Sequence, residues 1–509
     1  MKKTVYLFSI AILAFSSIIK SQSVAWGTEI DEKSPYQFND ITGHDSKGFF
    51  VKKIELNRPH TINATFPPNC SIQKYDYTGK QLFSLELNVM DNTETTKPMY
   101  YDGILYMKDN FVTIMYDRGV KTAYLIKVGF NGTIDSKKNL VGDVENTWKV
   151  DILAPNRYRF SVSNDSTKLM AFYHKDYASK IEMKFFDENL TELNEKTVDF
   201  GYTGKDADRE TCYYNGDQAI FLVHIKHAKS SEPDYFVYIY DIASGSYKKI
   251  ALDVHSRDDD WSSKYSLRVR MSAQGDVVLS ALYGDEQSKE NPVGIYYARV
   301  NHGATALTVN KSIRFSSDFI SYFSKDPSKG IDGLTFKGFA FAPDGGIVFG
   351  AEHYKSGTYA GDHSAVIGNI ATDGKMAWIK KITKKQYVSS IYDKYSSYSF
   401  AVANNKIYLV YNDDPENAKV NPEQAAKNED LIKRATVDKV KNNGVTLVTL
   451  NLSDGGGIKL SSISQQSEGE LIFTPVYTEL INPNALILVR TWSNNGDRQK
   501  YQFGYLGLN

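Results

Sequence analysis

Aromatic and histidine side chains recur along this chain just where runs of apolar residues end: Tyr116, Tyr173 with His174, His224, Tyr283, His353 with Tyr354, Tyr411 and Trp492. A ring with a polar tip offers contact area at low entropic cost, which suits recognition of carbohydrate or peptide. The same residues can equally cap a hydrophobic core. Trp261 closes the acidic run Asp258-Asp259-Asp260-Trp261, a further candidate for the same surface. That run, and the trio Asp413, Asp414 and Glu416, supplies oxygen ligands of the kind calcium takes, but neither has the spacing of a calcium-binding loop. His224, His353 and His363 come from separate segments without metal-ligand spacing, so no metal is expected. No nucleophile–base pattern stands out, so no catalytic residue is assigned.

These positions are carried by a repeat. Strand-like runs flank seven short polar turns, at Tyr77-Thr78-Gly79-Lys80, Phe130-Asn131-Gly132-Thr133, Asp187-Glu188-Asn189-Leu190, Ala243-Ser244-Gly245-Ser246, Asn301-His302-Gly303-Ala304, Thr372-Asp373-Gly374-Lys375 and Ser453-Asp454-Gly455-Gly456. From residue 79 through 132, 189, 245, 303 and 374 to 455 the steps are 53, 57, 56, 58, 71 and 81. A small β-unit repeated at this spacing predicts a β-propeller blade of four strands, A to D. The second strand of each unit is the most apolar, for instance Leu169 to Phe172 and Val277 to Leu282, as burial on both faces requires. The fold expected is therefore all-β: seven blades, with eight as the rival count, closed by pairing N- and C-terminal strands. A short helix is expected near residues 422–441, inserted between two strands.

The turns divide into two sets. A-to-B and C-to-D turns are short, whereas B-to-C and D-to-A connections are long, notably Ser316 to Gly333 and Asn412 to Gly444. These two connections help to stretch the last steps of the repeat. Alternate turns of a blade fall on opposite faces of the disc, so one face is plain and the other decorated. Long loops on a rigid scaffold are where binding usually resides.

Composition narrows the classes of partner. In 509 residues Lys plus Arg and Asp plus Glu each number 60, so net charge draws the chain neither to nucleic acid nor to an anionic membrane. Tyr at 35 and Phe at 26 favour strands. Lys2 and Lys3 precede an apolar run from Val5 to Ile19, and Ser21 and Ser23 follow at cleavage-site positions, which reads as a secretory signal peptide over 1–23. The run is shorter than the roughly 20 residues a span needs, so no direct membrane span is expected. Residues 24–48 are read as an N-terminal extension and 49–509 as a single propeller domain. Cys70 and Cys212 could pair in an oxidising compartment or remain two buried thiols.

Two short motifs carry resemblances. Phe341-Ala342-Pro343-Asp344-Gly345 resembles the turn signature of TolB-like propellers, and Thr372-Asp373-Gly374-Lys375-Met376-Ala377-Trp378 resembles the repeat of quinoprotein-like propellers, including the BamB outer-membrane assembly scaffold. The Lys-, Asn- and Tyr-rich exported chain as a whole is similar to envelope propellers of Bacteroidota. These resemblances imply a scaffold or ligand-binding role. Equivalent turns such as Gly79-Lys80-Gln81-Leu82-Phe83 lack the Trp of the quinoprotein-like repeat, and no cofactor is expected. The expectation is a non-catalytic exported scaffold, in the periplasm or at the cell surface through a partner. Its long-loop face would bind a cell-envelope protein of an outer-membrane or secretion assembly. The alternative is a hydrolase acting on glycans or peptides, or a glycan-binding module, using the same face.

Overall fold

The computed structural model describes residues 23–32, 36–55, 70–87, 90–92, 97–117, 122–143, 158–174, 179–203, 206–225, 235–252, 267–285, 288, 291–354, 363–387, 395–437, 443–465, 471–482, 484–494 and 498–508. Nearly all the regular structure is antiparallel strand, in eight sheets of four or more strands, and each sheet is one blade. Of the two blade counts left open by the sequence, the structure has eight. Blade 1 holds Tyr36–Asp45, Gly48–Glu55, Cys70–Tyr75 and Gln81–Leu87. Blade 2 runs from Lys97–Tyr106 to Ile134–Asp143, blade 3 from Arg159–Val162 to Glu192–Asp199 and blade 4 from Ala207–Tyr214 to Tyr247–Ala251. Blade 5 runs from Arg268–Met271 to Val309–Arg314, blade 6 from Leu334–Phe341 to Met376–Thr383 and blade 7 from Ser399–Ala403 to Lys459–Gln465. The extra blade arises at the N-terminus. Gly48–Glu55 and Cys70–Leu87 do not complete the last blade, because Tyr36–Asp45 pairs with Gly48–Glu55 and gives them an inner strand of their own.

The described parts of segment 24–48, which the sequence reads as an extension, therefore pair into the ring. Its first strands, Ala25–Trp26 and Ile30–Glu32, pair with Arg498–Gly507 and make the outer strand of blade 8. The rest of that blade is Ala485–Asn494 and an inner strand split into Ile472–Phe473 and Glu479–Asn482. The closing strand is fastened by side chains. The Trp26 indole donates to Ser464 Oγ at 3.0 Å, and the Arg490 guanidinium lies 3.9 Å from the Trp26 ring centre. Glu32 forms an ion pair with Lys53 of blade 1, whose side chain is buried. Beside it the Tyr75 and Tyr501 hydroxyls are 3.2 Å apart.

The core lies between blades. Strand B is buried along its whole length in blade 3 (Leu169–His174) and blade 4 (Gln218–Ile225), whereas the outermost strands, such as Tyr247–Ala251, are largely exposed. Aromatic rings lock neighbours edge to face: Phe50 on Phe111 at 4.7 Å, Phe172 on Phe221 at 5.2 Å and Phe49 on Phe503 at 4.8 Å. The repeated turn is a C-to-D device. In blade 1 the Asp76 carboxylate accepts from the backbone N–H groups of Thr78 and Lys80, and Gly79 takes φ +84°, a conformation that disfavours other residues. Cys70 and Cys212 sit buried and unpaired on blades 1 and 4. No helix among the described residues is long and apolar enough to cross a membrane.

Gly504 marks how tightly the ring is closed. A Cβ there would lie 2.5 Å from Val24 Cγ1 and 2.6 Å from the Trp26 ring. Gly504→Leu should push the closing strand off the last one, lowering stability by about 1–3 kcal/mol and exposing the N-terminal strand to limited proteolysis. Unchanged melting and cleavage would mean that the strand does not hold the ring.

Candidate functional site

The two longest described connections lie on the same face, at the ends of strands B and D. The one from blade 5 to blade 6, residues 315–333, folds into two short turns of helix. Ser317–Ile320 is capped by the Ser316 hydroxyl and buries Phe319 and Ile320. Pro327–Lys329 is capped by Asp326. The Asn291 amide donates to the Lys329 carbonyl at 2.9 Å and fastens this loop to blade 5.

The second connection, residues 414–443, interrupts blade 7 between strands B and C. It holds 3-10 turns at Pro415–Lys419 and Glu429–Leu431 around a helix, Pro422–Lys427. The helix is much shorter than the expected span 422–441. It starts at Asn421, whose side chain accepts from Glu423 and Gln424 N–H. It stops at Asn428, which leaves helical geometry at φ −135° and caps the following turn through Asp430 N–H instead. Ala425, Ile432 and Ala435 are buried, while Val440, within the expected helix, lies outside the described residues. Ala435–Thr436 then pairs in parallel with Gln386–Tyr387, stitching the insertion to the chain that leaves blade 6.

Between the two connections is a cleft of about 720 Å³, lined among others by Tyr322, Phe323, Lys329, Asp332, Lys427 and Glu429. His353 and Tyr354, where strand B of blade 6 ends, also line it. Lys381, near the end of strand D, ties the walls together. It forms an ion pair with Glu429, donates to the Tyr322 carbonyl at 3.4 Å and sits 4.8 Å from the Phe323 ring centre. The His353 ring packs on Phe323 at 4.8 Å.

A buried polar network holds the insertion from beneath. Lys384 is fully buried, donating to Glu352 Oε1 at 2.6 Å and Gln386 Oε1 at 2.7 Å. Ser397 Oγ donates to the other Glu352 oxygen at 2.6 Å. Burial pushes the Lys384 pKa down, and the Glu352 carboxylate opposes that fall. The Asn417 amide donates to Asp413 Oδ1 at 2.7 Å and to the Lys433 carbonyl at 2.8 Å, joining both ends of the insertion. Burial pushes the Asp413 carboxyl up to about 7, against hydrogen bonds from Asn417 and Asp414 N–H.

The sequence-derived candidates scatter. His353 and Tyr354 reach the cleft; Tyr354 is exposed and His353 half-buried. Tyr173, His174, His224 and Tyr411 are buried and serve the core rather than the surface. Tyr173 stacks on Tyr158 at 5.0 Å, and the His224 ring lies 4.5 Å from Tyr235. His174 Nε2 is 3.0 Å from Glu210 Oε1, and Arg159 Nη1 is 2.7 Å from Glu210 Oε2, across the seam of blades 3 and 4. Burial pushes the Glu210 carboxyl up, but His174 and Arg159 outweigh it and hold the group below the usual carboxylate range. Tyr116 is half-buried against the core between blades 2 and 3. Tyr283 is half-buried, and Lys500 sits 6.0 Å from the half-buried Trp492 ring. Trp261 and its acidic run lie outside the described residues.

The other acidic trio is used internally: Asp413 bonds Asn417, Asp414 caps Pro415–Lys419, and Glu416 pairs with Lys419. Among the described residues no group of three or more His, Cys, Asp or Glu is placed to hold a metal ion. Sequence reasoning missed Tyr322, Lys381 and Glu429, which come together from three separate stretches of chain. The enlarged steps of the repeat pointed to the loops, not to these side chains.

No protein-family model matches this chain, and no curated protein does. Solved structures resemble it in fold alone. The β-propeller domain of the Trilobed protease from Pyrococcus furiosus is 10% identical with a TM-score of 0.39, covering 85% of this chain and 99% of that one. The WD40 domain of SCAP from fission yeast is 6% identical with a TM-score of 0.39, covering 93% and 98%. The polysaccharide lyase Uly1 is 10% identical with a TM-score of 0.41, covering 95% and 100%. The class of the protein is the β-propeller.

Two measurements probe the network beneath the cleft. Lys384→Ala removes the buried ammonium from Glu352, which keeps Lys337 at 3.4 Å and the Ser397 hydroxyl, and should cost up to about 3–5 kcal/mol in urea unfolding. Asp413 keeps a proton in the folded state that the unfolded chain loses above about pH 4. Its contribution to stability is therefore largest at acid pH and falls as pH rises to about 7, with no further change above. Asp413→Asn should lack this slope, so the stability difference between wild type and variant should change between pH 5 and pH 8. Parallel profiles would show that Asp413 does not carry it.

Proposed function

We propose that this protein is a non-catalytic exported scaffold whose long-loop face binds a cell-envelope protein of an outer-membrane or secretion assembly. The observation that carries this reading is the anchoring of the two long connections. Lys381, through Glu429 and the Tyr322 carbonyl, and Asn417 fasten loops that the ring does not need for closure, and such loops left without a task would not require a buried charge to hold them in place. Among the described residues the opposite face is made of short turns. The neutral charge balance favours recognition by shape and local chemistry over electrostatic capture. In this reading the protein acts in the periplasm, or at the cell surface through its partner.

The test is affinity capture from native envelopes. Ala425, Ile432, Ala435 and Val437 are buried, so excising the whole insertion would open the core. Substitutions at exposed positions are the cleaner probe. Tyr354→Ala combined with Leu431→Asp should abolish recovery of the partner while leaving the melting temperature within about 2 °C of wild type. Undiminished recovery would overturn the reading.

A further inference from the structure

Most arginines of this protein are committed to partners. Among the described side chains Arg159 pairs with Glu210, Arg299 with Asp276 and Arg314 with Asp285. Arg490 donates to Ser464 and stacks on Trp26, and Arg434 is engaged as well. Two are left over. Arg268 and Arg270 are exposed and make no hydrogen bond, ion pair or ring contact with a described residue.

The two stand on the inner strand of blade 5, Arg268–Met271, and leave it on the same side because they are two residues apart. Val269 and Met271, on the other side, pack against the core between blades 4 and 5. The Tyr213 hydroxyl donates to the Val269 carbonyl at 2.8 Å and fixes the strand to its neighbour. Inner strands of a closed ring border its central channel, so the water that reaches an exposed side chain there is channel water. The register gives the depth. Arg270 lies opposite Val278, the second residue of strand B in its blade. On the inner strand of blade 8, Glu479 lies opposite Ile487, the third residue of strand B there. The two are thus at nearly the same level. Glu479 is also exposed, yet burial pushes its carboxyl up to about 6; Arg270 opposes that rise and Asp40 adds to it. A side chain open to water and still enclosed by protein is what a channel produces. Blades 6 and 7 separate blade 5 from blade 8 around the ring, so this attraction runs across the channel.

The other described charges of the inner strands are matched. Lys337 holds Glu352 at 3.4 Å, Asp40 holds Lys52 at 3.3 Å and Asp45 holds Lys74 at 2.5 Å. Glu479 forms no ion pair with either free arginine. Two guanidiniums at this spacing repel one another, and both stay charged at any physiological pH. Low-dielectric walls concentrate the field of such unmatched charge. Their Cα atoms are about 7 Å apart, as alternate positions of a strand must be. Each presents a planar fork of donors that fits phosphate, sulfate or carboxylate oxygens. A monovalent ion balances one of the two charges; a compact dianion balances both.

We propose that Arg268 and Arg270 form an anion site in the central channel, which takes a compact dianion presenting phosphate, sulfate or carboxylate oxygens. The site stands independently of the cleft between the long loops. It forms and breaks no bond.

The experiment titrates the purified full chain with sulfate, inorganic phosphate and succinate by calorimetry, at low ionic strength and at about pH 8, where Glu479 is ionised. Chloride is the monovalent control. At least one dianion should bind more tightly than chloride, with a dissociation constant below about 10 mM. Arg268→Gln and Arg270→Gln should each weaken it at least about tenfold. Lys375→Gln, on an exposed turn of blade 6, should leave it unchanged. Glu479→Gln removes the charge facing Arg270 and should tighten binding severalfold. The thermal transition of each variant, measured alongside, guards against loss of fold. Preference for sulfate and phosphate assigns a phosphoryl- or sulfuryl-bearing ligand, and preference for succinate a dicarboxylate; either supports the site. Binding no tighter than chloride, or binding that survives both arginine substitutions, overturns the proposal. Weaker binding in Glu479→Gln overturns the placement of the site across from blade 8.

Discussion

Everything in this protein depends on the closing of its ring. A four-stranded blade cannot bury both of its faces alone, and each strand B is apolar enough to need a neighbour on either side. The last blade gets its outer strand from the other end of the chain, 25–32 against 498–507. That junction is fastened by the Trp26 indole, by Arg490 stacked on it, and by the Glu32–Lys53 pair that continues into blade 1. The loop entropy of joining such distant segments is modest, because it grows only logarithmically with length. What the junction gains is large: two blade faces leave water at once, and the ring has no open end.

A closed, rigid disc frees its connections from structural duty, and this chain uses that freedom unequally. Most C-to-D turns combine an Asp or Asn side-chain oxygen that accepts from turn N–H groups with a residue at positive φ. The connections on the opposite face are long, and the two best described are built like small domains, with capped helical turns and their own buried residues. Lys381 ties the two together, through Glu429 of one and the Tyr322 carbonyl of the other, and a second buried ion sits in the blade beneath. Lys384 lies fully buried and is tolerated because Glu352 and Gln386 occupy its donors. Asn417 spends its amide on both ends of one insertion. Such interactions add little to stability over an apolar core but specify one arrangement sharply when complete. A cleft with fixed walls follows from them.

Several features were legible in the chain itself. The repeat, the strand order within a blade and the inequality of the two faces all depend on local patterns: period-two apolar runs, turn residues and distances between turns. Those are written in contiguous residues and survive without tertiary contacts. The blade count was harder, because Tyr36–Asp45 reads as an irregular polar stretch, and its register carries shifts at Phe38/Asp40 and Ile41/Gly43 that break the alternation. The helix expected through residue 441 failed for a local reason too. Asn428 satisfies the next turn with its own side chain, which helix propensity alone does not register.

The strand-end aromatics divide the chain's information most clearly. Sequence determined that Tyr173, His174, His224, Tyr354 and Tyr411 would stand at equivalent places near the ends of strand B. Only the tertiary structure decided which of them meet water. Tyr411 is buried in the core between blades 6 and 7, His174 meets Glu210 from the next blade, and Tyr354 is exposed at the cleft. The cleft brings together residues 322, 354, 381 and 429, which share no pattern along the chain. Burial is a property of what the neighbouring blade and its loops place overhead, and a single strand carries no record of its neighbour.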